Sequence, residues 1–337
     1  MFFYILRRLI AVVLMLVVIS ITTFLIFYAG PTDPARLTCA KNCTAATIEG
    51  NRKALGFDKP IAVQYANFLK GLVHERDFPD DPELKKAHPE NVTACSAPCL
   101  GYSFLRNHEV TDMVKEALPI TVSLALGAFA LWITIGVIGG CIAALNKGKW
   151  LDRVIVGAAL IGYSVPSFFI GLLLLTFVSI KWQLVPIPSY TSFFESPSQW
   201  AIGLFLPWIT LAAVFAASYI RLTRAYMIET MGEDYIRTAR AKGVSESKVI
   251  RRHGLRAALT PIVTAAGLDL GGLLGGAVIT EQVFGLNGLG RLAVNSVVNV
   301  DLPVVVSLVL IASFFIVIAN LIVDILYGVI DPRVRLS

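Results

Sequence analysis

The chain is divided into long apolar stretches separated by shorter polar ones. A helix that crosses a membrane needs about 20 consecutive apolar residues, and six stretches reach that length. Five of them contain no charged residue, and the sixth contains only Asp269. They span residues 9–28, 117–146, 154–180, 196–220, 257–280 and 302–323. Since unpaired backbone groups cannot face lipid, each stretch predicts a transmembrane helix, and the fold class is an all-α polytopic membrane protein.

The composition agrees with this class. Hydrophobic residues make up 56% of the chain and charged residues only 15%, whereas soluble domains carry about 25% charged residues. The stretch at 117–146 is longer than one crossing requires, which predicts a tilted helix or one that begins outside the hydrocarbon, with Pro119 near its first turn. The net charge of +6 is concentrated beside the apolar stretches, so we expect a lipid surface rather than nucleic acid as the partner of these charges.

Basic residues predict the orientation, because short cytoplasmic segments are enriched in Lys and Arg. If both termini are cytoplasmic, nearly all basic residues of short segments fall on the cytoplasmic side. The opposite short loops carry only Lys181 and Arg291. The first stretch is too long for the apolar region of a signal peptide, so we interpret it as a retained helix.

The segment at 31–116 is the one large polar region, and this topology places it outside the cytoplasm. It contains two C-x3-C motifs, formed by Cys39, Cys43, Cys95 and Cys99. Outside the cytoplasm, cysteines favour disulfides. Four cysteines allow three pairings, among which the sequence does not choose, although pairing between the motifs would close a longer loop. A metal site with four thiolates is the alternative. The fifth cysteine, Cys141, lies in an apolar stretch and is expected to be a small buried side chain.

A basic polar segment, residues 229–256, lies between the fourth and fifth stretches; we refer to it as the arm. Good helix-forming residues cover 231–242, with Glu233 and Asp234 near the start, where a helix dipole favours negative charge. Gly243 is suited to a left-handed turn after this helix. Ser245 can cap a second helix that runs toward Pro261. The sequence therefore predicts helix, glycine turn and helix.

The order of the motifs resembles the permease subunits of ABC importers, in the oligopeptide, dipeptide and nickel branch. In the arm, the resemblance is carried by Arg237-Thr238-Ala239 followed by Gly243, and by His253 through Pro261. Elsewhere it is carried by the segments at 30–35, 55–65, 162–168, 281–291, 301–305 and 320–333. The chain departs from the family pattern at Asn287, where proline is usual, and around 74–106, where the second cysteine motif replaces a short glycine-rich stretch.

The resemblance implies an ABC-importer permease fold with six transmembrane helices and a cytoplasmic coupling helix. It also implies a bacterial inner membrane location and half of a pathway for peptides, or alternatively for nickel or another small solute. The implied partners are a homologous second permease, two cytosolic ATPases and an extracellular binding protein. The chain itself needs no cofactor, because ATP and Mg are bound by the ATPases, and it has no P-loop of its own. The residues implied in ATPase coupling are Glu233, Asp234, Arg237, Thr238, Ala239, Arg240, Lys242, Gly243, His253 and Arg256.

Some residues inside the apolar stretches are candidates for function or for packing. Asp269 is a functional candidate because acids are costly inside a membrane, or it could pair with a polar group across the bundle. Tyr163 and Ser164 are further pathway candidates, whereas Glu281 and Asp324 are expected to be structural anchors. Glycines recur every four residues at 136 and 140, at 267, 271 and 275, and at 272 and 276, a spacing that permits close helix packing.

We therefore expect four regions: a first helix at 1–30, an outer segment at 31–116, a five-helix permease core at 117–330 that includes the arm, and a cytoplasmic tail at 331–337. Two other classes are less well supported. A secondary transporter predicts inverted repeats and several midplane charges, and a membrane enzyme predicts a catalytic pair within the helices. Asp269 alone supplies neither, so we expect a transport subunit rather than an enzyme.

Overall fold

A computed structural model describes residues 2–28, 34–37 and 44–330. Its first helix, α1 (Phe2–Tyr28), is apolar and long enough to cross a membrane. A polar segment and then the remaining long helices follow in chain order. Within the described residues, five helices are long and apolar enough to cross a membrane, and a bent pair of helices brings the number to six if the pair forms one span.

The polar segment after α1 is a small folded region of helices and hairpins. Its elements are α2 (Pro34–Leu37), α3 (Ala45–Leu55), α4 (Ile61–Gly71), β1 (Arg76–Phe78), α5 (Pro82–Ala87), a 3₁₀ turn (Pro89–Asn91), β2 (Thr93–Cys95), β3 (Tyr102–Ser103) and β4 (His108–Glu109). β1 pairs antiparallel with β2, and β3 pairs antiparallel with β4. Phe78, Cys95, Cys99 and Tyr102 form its buried centre.

The long helices follow in an order that matches the apolar stretches. They are α6 (Val110–Leu145), α7 (Trp150–Ser164), α8 (Ser167–Leu173) with a π-helical extension (Leu174–Lys181), α9 (Pro197–Met231), α10 (Asp234–Ala241), α11 (Glu246–Lys248) with a π-helical turn (Val249–Leu255), α12 (Arg256–Leu274), α13 (Val278–Phe284), α14 (Leu289–Val298) and α15 (Leu302–Ile330). The all-α class predicted from the sequence is confirmed.

Three boundaries differ from the sequence predictions. α6 begins at Val110, so Pro119 lies inside the helix rather than near its first turn, and the domain boundary predicted at 116/117 falls within α6. The third apolar stretch is two helices that meet at an angle of 96°. The bend occurs just before Pro166, because the residue that precedes a proline is disfavoured in helical conformation. The fifth stretch is broken after Leu274, where Gly275 and Gly276 end α12.

The main core lies between α6, α9 and α12. Its largest fully buried side chain is Trp132, which stacks on Phe215 with ring centroids 4.6 Å apart. Two of the three predicted glycine rows lie at helix contacts. A Cβ added at Gly140 would lie 2.5 Å from Cβ of Thr223 on α9, and one added at Gly271 would lie 2.5 Å from Cβ of Ala319 on α15. These glycines therefore allow the close helix packing that their spacing predicted.

The third glycine row has a different role. Gly272 has no atom within 4 Å of an added Cβ, so it lies at no close contact. Gly276 has a φ of +135°, and an added Cβ there would lie 2.7 Å from the Cα of Gly290. The close approach of the α12–α13 connection to the start of α14 therefore requires a glycine at Gly276.

Hydrogen bonds attach the outer segment to α15 and to Asp301 just before it, and a disulfide closes the second cysteine motif of the segment. Ser103 donates a hydrogen bond to Asp301 (2.5 Å), and Ser307 donates to the Leu100 carbonyl (2.7 Å). Cys95 and Cys99 form a disulfide within one motif, with Cα atoms 5.5 Å apart. Thus these two cysteines neither pair with the first motif nor offer thiolates to a metal. Cys39 and Cys43 lie outside the described residues.

Candidate functional site

The arm has the predicted order of helix, turn and helix. α10 follows Glu233, and Gly243 lies in the left-handed region with φ +74°. Ser245 precedes α11 as predicted, but its side chain makes no capping hydrogen bond. Only Gly232 and Glu233 separate α10 from the end of α9, and α11 continues through the π-helical turn into α12. The arm is thus joined at both ends to long helices without a flexible linker.

A small apolar cluster holds the arm together. Ile236 and Val249 are fully buried, Ala239 is 9% exposed, and Met231 and Val244 pack against them. Ile236 and Ala239 lie three positions apart on one face of α10, and this face meets the second helix. Ala239, predicted to be a coupling residue, therefore supports the arm from inside. Ile236 and Val249 are not among the coupling residues predicted from the sequence. Their apolar side chains among charged neighbours are nevertheless a sequence signal for a buried contact.

An ion pair closes the turn on its outer side. The Arg240 guanidinium donates from Nη2 to Oε1 of Glu246 (2.7 Å) and from Nε to Oε2 (3.1 Å), which links the two helices across Gly243. Thr238 donates its hydroxyl to the Asp234 carbonyl (2.9 Å) within α10. Exposed ion pairs contribute about 0–1 kcal/mol each. The apolar cluster is therefore the main stabilising element, and the ion pair fixes the direction of α10.

The remaining predicted coupling residues lie on the surface or close to it. Glu233, Asp234, Arg237, Lys242 and Arg256 are exposed, and His253 is half-buried. Arg237 lies 3.4 Å from Asp234 in an exposed pair. Tyr235 is 45% exposed, and desolvation, with a smaller effect of Glu233, raises the pKa of its phenol. The arm thus presents Tyr235 and Arg237, two residue types that are enriched in protein interfaces.

A partly buried ion pair, with Asp152 buried and Arg224 29% exposed, lies close to the arm along α9 and was not apparent from the sequence. Arg224 donates from Nε to Oδ1 of Asp152 (2.6 Å) and from Nη2 to Oδ2 (2.7 Å). The Gly148 amide donates to the same carboxylate (2.9 Å). This pair attaches the loop before α7 to α9. In the sequence Arg224 is one of the many basic residues that follow the fourth apolar stretch, and no local pattern identifies the acid 72 positions away as its partner.

The pathway candidates occupy two separate places. Tyr163 is 55% exposed and borders a cavity of about 480 Å³ between α7 and α9. The Arg221 guanidinium lies over its ring, 5.4 Å from the centroid. Ser164 is exposed and donates to the Leu160 carbonyl (2.8 Å). Asp269 instead accepts a hydrogen bond from the buried Tyr219 (2.6 Å), which joins α12 to α9.

The two acids expected to be anchors do connect separate elements. Glu281 is fully buried and accepts hydrogen bonds from the Thr121 hydroxyl (2.8 Å) and the Arg291 amide (2.8 Å). Burial raises the pKa of this carboxyl, and the hydrogen bonds oppose that change. Asp324 pairs with Arg8 (2.8 Å), which joins α15 to α1.

Two family models of membrane transport components match nearly the whole chain. Residues 136–336 match the family model described as binding-protein-dependent transport system inner membrane component, and residues 1–125 match the N-terminal model of such membrane components. The chain is similar to a putative peptide transport system permease protein of Brucella abortus, with 39% identity over 98% of each chain. It is also similar to the glutathione transport system permease protein GsiC of Escherichia coli, with 35% identity over 98% of each chain.

Two further matches agree with these. A probable peptide ABC transporter permease protein of Sinorhizobium fredii is 33% identical over 98% of this chain and 99% of the relative. Among solved structures, the MetNI methionine ABC transporter, in inward-facing conformations, matches with a TM-score of 0.53 at 18% identity, over 66% of this chain and 97% of that one. At this identity the structural match concerns the fold only.

Proposed function

The chain belongs to the family of binding-protein-dependent transport system inner membrane components, and from this membership we propose how it contributes to transport. It is a permease subunit of a peptide-type ABC importer, and it is a transport component rather than an enzyme. It is a multi-pass membrane protein, and its family works with ATPase and binding-protein partners. We propose that it lies in a bacterial inner membrane, pairs with a homologous second permease and is driven by two cytosolic ATPases.

We propose that the arm is the contact for one ATPase. The observation that carries this proposal is the arm's construction: a short helix held by its own apolar cluster and joined at both ends to long helices. A segment that only connected two spans would need neither a buried Ile236 nor an ion pair across its turn. The exposed side chains of α10 and of the turn that follows it, among them Tyr235, Arg237 and Lys242, form the surface that an ATPase would contact.

The arm's attachments suggest how force would be transmitted. ATP binding would close the two ATPases and displace both arms. Because α9 and α12 continue directly from the arm and are joined by the Tyr219–Asp269 hydrogen bond, they would move as one unit. The Asp152–Arg224 pair would carry the loop before α7 with them. The pathway between the two permeases would then change from inward-facing to outward-facing and would accept peptide from the binding protein. ATP hydrolysis would reset the cycle.

Within this scheme, we propose that Tyr163 and Ser164 border the pathway and that Asp269 acts through its contact with Tyr219. Tyr163 is exposed beside a cavity between α7 and α9, and Ser164 is exposed next to it in the chain, which supports contact with solute or with the second permease. The carboxylate of Asp269 is engaged by a buried phenol at a helix contact, which supports a role in keeping α9 and α12 together.

Reconstitution tests the proposed function directly. The chain would be expressed with a homologous permease, ATPase subunits and a binding protein from the same organism, purified as a complex and placed in liposomes. We expect uptake of a radiolabelled dipeptide that requires both ATP and the binding protein. ATP-dependent uptake of Ni²⁺ without uptake of any di- or oligopeptide would contradict the assignment to peptides. A complex that assembles without the ATPases would contradict the coupling proposal.

A further inference from the structure

A polar pocket of about 450 Å³ lies between the first turns of α6 and the start of α14. Met113, Ala117, Ile120 and Leu292 supply apolar surface, and Arg106, His108, Glu116 and Arg291 supply charged or titratable groups. A volume of 300–1,000 Å³ with a few polar groups on an apolar surface is typical of sites for small ligands. In the topology predicted from the sequence, this pocket opens on the side that faces the binding protein.

Arg291 is held in place but lacks a negative partner. Its Nη1 donates to the Gly285 carbonyl (2.6 Å) and to Oδ1 of Asn287 (3.1 Å). Its backbone amide is tied to the buried Glu281 (2.8 Å). Among the described residues, no carboxylate lies within 4.0 Å of its guanidinium. The side chain is therefore preorganised, and its charge remains available to an anion.

The other charged groups of the pocket are also poorly satisfied. Arg106 is separated from Asp301 by 3.9 Å and from the Ser296 hydroxyl by 3.5 Å, both of which are long for a charge-assisted hydrogen bond. Glu116 is exposed and forms no ion pair within the described part of the chain. The pocket thus combines Arg291, whose guanidinium can donate to a carboxylate, with Arg106, which forms only a long ion pair with Asp301, and with Glu116, whose carboxylate can accept from an ammonium group.

We propose that this pocket binds a short peptide through its free termini, with Arg291 as the main ligand of the C-terminal carboxylate, Arg106 beside it, and Glu116 facing the N-terminal ammonium. This proposal rests on the function proposed above and specifies its substrate as a zwitterionic peptide. Guanidinium groups are well suited to carboxylates because they offer two parallel donors. The apolar residues of α6 and α14 would contact the peptide side chains without selecting among them.

An acidic side chain of the binding protein would also suit Arg291, but the pocket favours a small ligand. Glu116 would repel an acidic protein segment, whereas it complements a ligand that carries both charges. Binding of a short peptide to the pocket when no binding protein is present would identify the peptide as the occupant. Absence of such binding would favour an acidic side chain of the binding protein.

The test measures binding of two matched dipeptides to the intact transporter. The complex of permeases and ATPases, in nanodiscs without binding protein, would be dialysed against radiolabelled Ala-Phe and against its C-terminal amide. We expect the acid to bind about 10-fold more tightly than the amide, the loss typical of one charge-assisted hydrogen bond. Arg291→Gln should weaken binding of the acid about 10-fold and leave the amide unchanged, whereas Arg291→Lys should retain part of the preference.

Two further variants make the result decisive. Lys181→Gln removes a positive charge from the same predicted side outside the pocket and should change nothing. Glu116→Gln alters an exposed side chain with no ion pair and should abolish the preference for a free over an acetylated N-terminus. Equal binding of acid and amide by the unmodified complex would overturn the proposal. So would an Arg291→Gln variant that weakens only association with the binding protein. ATP-dependent uptake of Ala-Phe by the unmodified complex remains a separate test of the proposed function.

Discussion

Replacing Gly243 by valine tests whether the geometry of the arm matters for transport. Gly243 has a φ of +74°, and no atom lies within 4 Å of an added Cβ. Substitution therefore introduces no clash, and its effect comes from backbone conformation alone. A non-glycine residue in the left-handed region costs about 1–2 kcal/mol, and a β-branched residue is the least tolerated there. The turn would relax toward negative φ and α10 would point in another direction.

The magnitude follows from what holds the turn. Relaxation would separate Arg240 from Glu246 and would shift Ile236 away from Val249. Since 1.4 kcal/mol corresponds to a factor of ten in an equilibrium, a cost of about 1–2 kcal/mol lowers the equilibrium constant between the native turn and other conformations roughly ten-fold. We expect Gly243→Val to reduce peptide uptake and ATPase retention by up to that factor, while membrane insertion stays normal.

Two variants serve as controls. Gly243→Asn should be nearly neutral, because asparagine tolerates the left-handed region better than other residues with a side chain. Gly148 has a φ of +79° and also has no atom within 4 Å of an added Cβ, but it lies in the loop before α7. Gly148→Val therefore introduces a similar backbone cost outside the arm, next to the Asp152–Arg224 pair, and should leave ATPase retention unchanged even where uptake falls. Normal uptake by Gly243→Val, or an equal loss of ATPase retention in Gly148→Val, would refute the coupling role of the turn.

Three other predictions concern the rest of the chain. Reporter fusions after residues 75, 149, 190, 240 and 337 should alternate between outside and cytoplasm, and a cytoplasmic signal at residue 75 would contradict the topology. Non-reducing peptide mapping should recover Cys95 linked to Cys99, and replacing both by serine should speed proteolysis of the outer segment through a loss of about 2 kcal/mol; a free thiol at either position would contradict this pairing. Asp152→Ala should destabilise the complex by about 2–3 kcal/mol, since it leaves the charge of Arg224 without its bidentate partner, and the additional Arg224→Ala should recover part of the loss; strictly additive losses would show that the pair is not coupled.

The order of the apolar helices could be predicted because each is determined by about 20 neighbouring residues. The turn at Gly243 was predictable for a similar reason: glycine after a run of helix-forming residues is a local signal. The start of α6 was not predictable from hydropathy, since its first turns from Val110 precede the apolar stretch and are buried against α14 and α15.

The contacts between distant residues could not be predicted from one sequence. Asp152 and Arg224 meet across 72 positions, and Tyr219 meets Asp269 across 50. The sequence identified Asp269 as unusual but did not supply its partner, because nothing local distinguishes Tyr219 from other aromatic residues in the helices. Arg291 is part of a motif that the sequence shows. Its position in a pocket where no carboxylate of the described residues pairs with it depends on the packing of α6 against α14, which the sequence does not show.

The central claim is that the arm contacts an ATPase, and site-specific photo-cross-linking in the assembled complex tests it most directly. A benzophenone side chain would replace Tyr235, which is 45% exposed on the arm, and separately Trp182, which is 59% exposed at the predicted opposite side of the membrane. We expect a covalent adduct with the ATPase from position 235, altered in yield by ATP, and none from position 182. Absence of an ATPase adduct at position 235, or an equal yield at both positions, would show that the arm is not the ATPase contact.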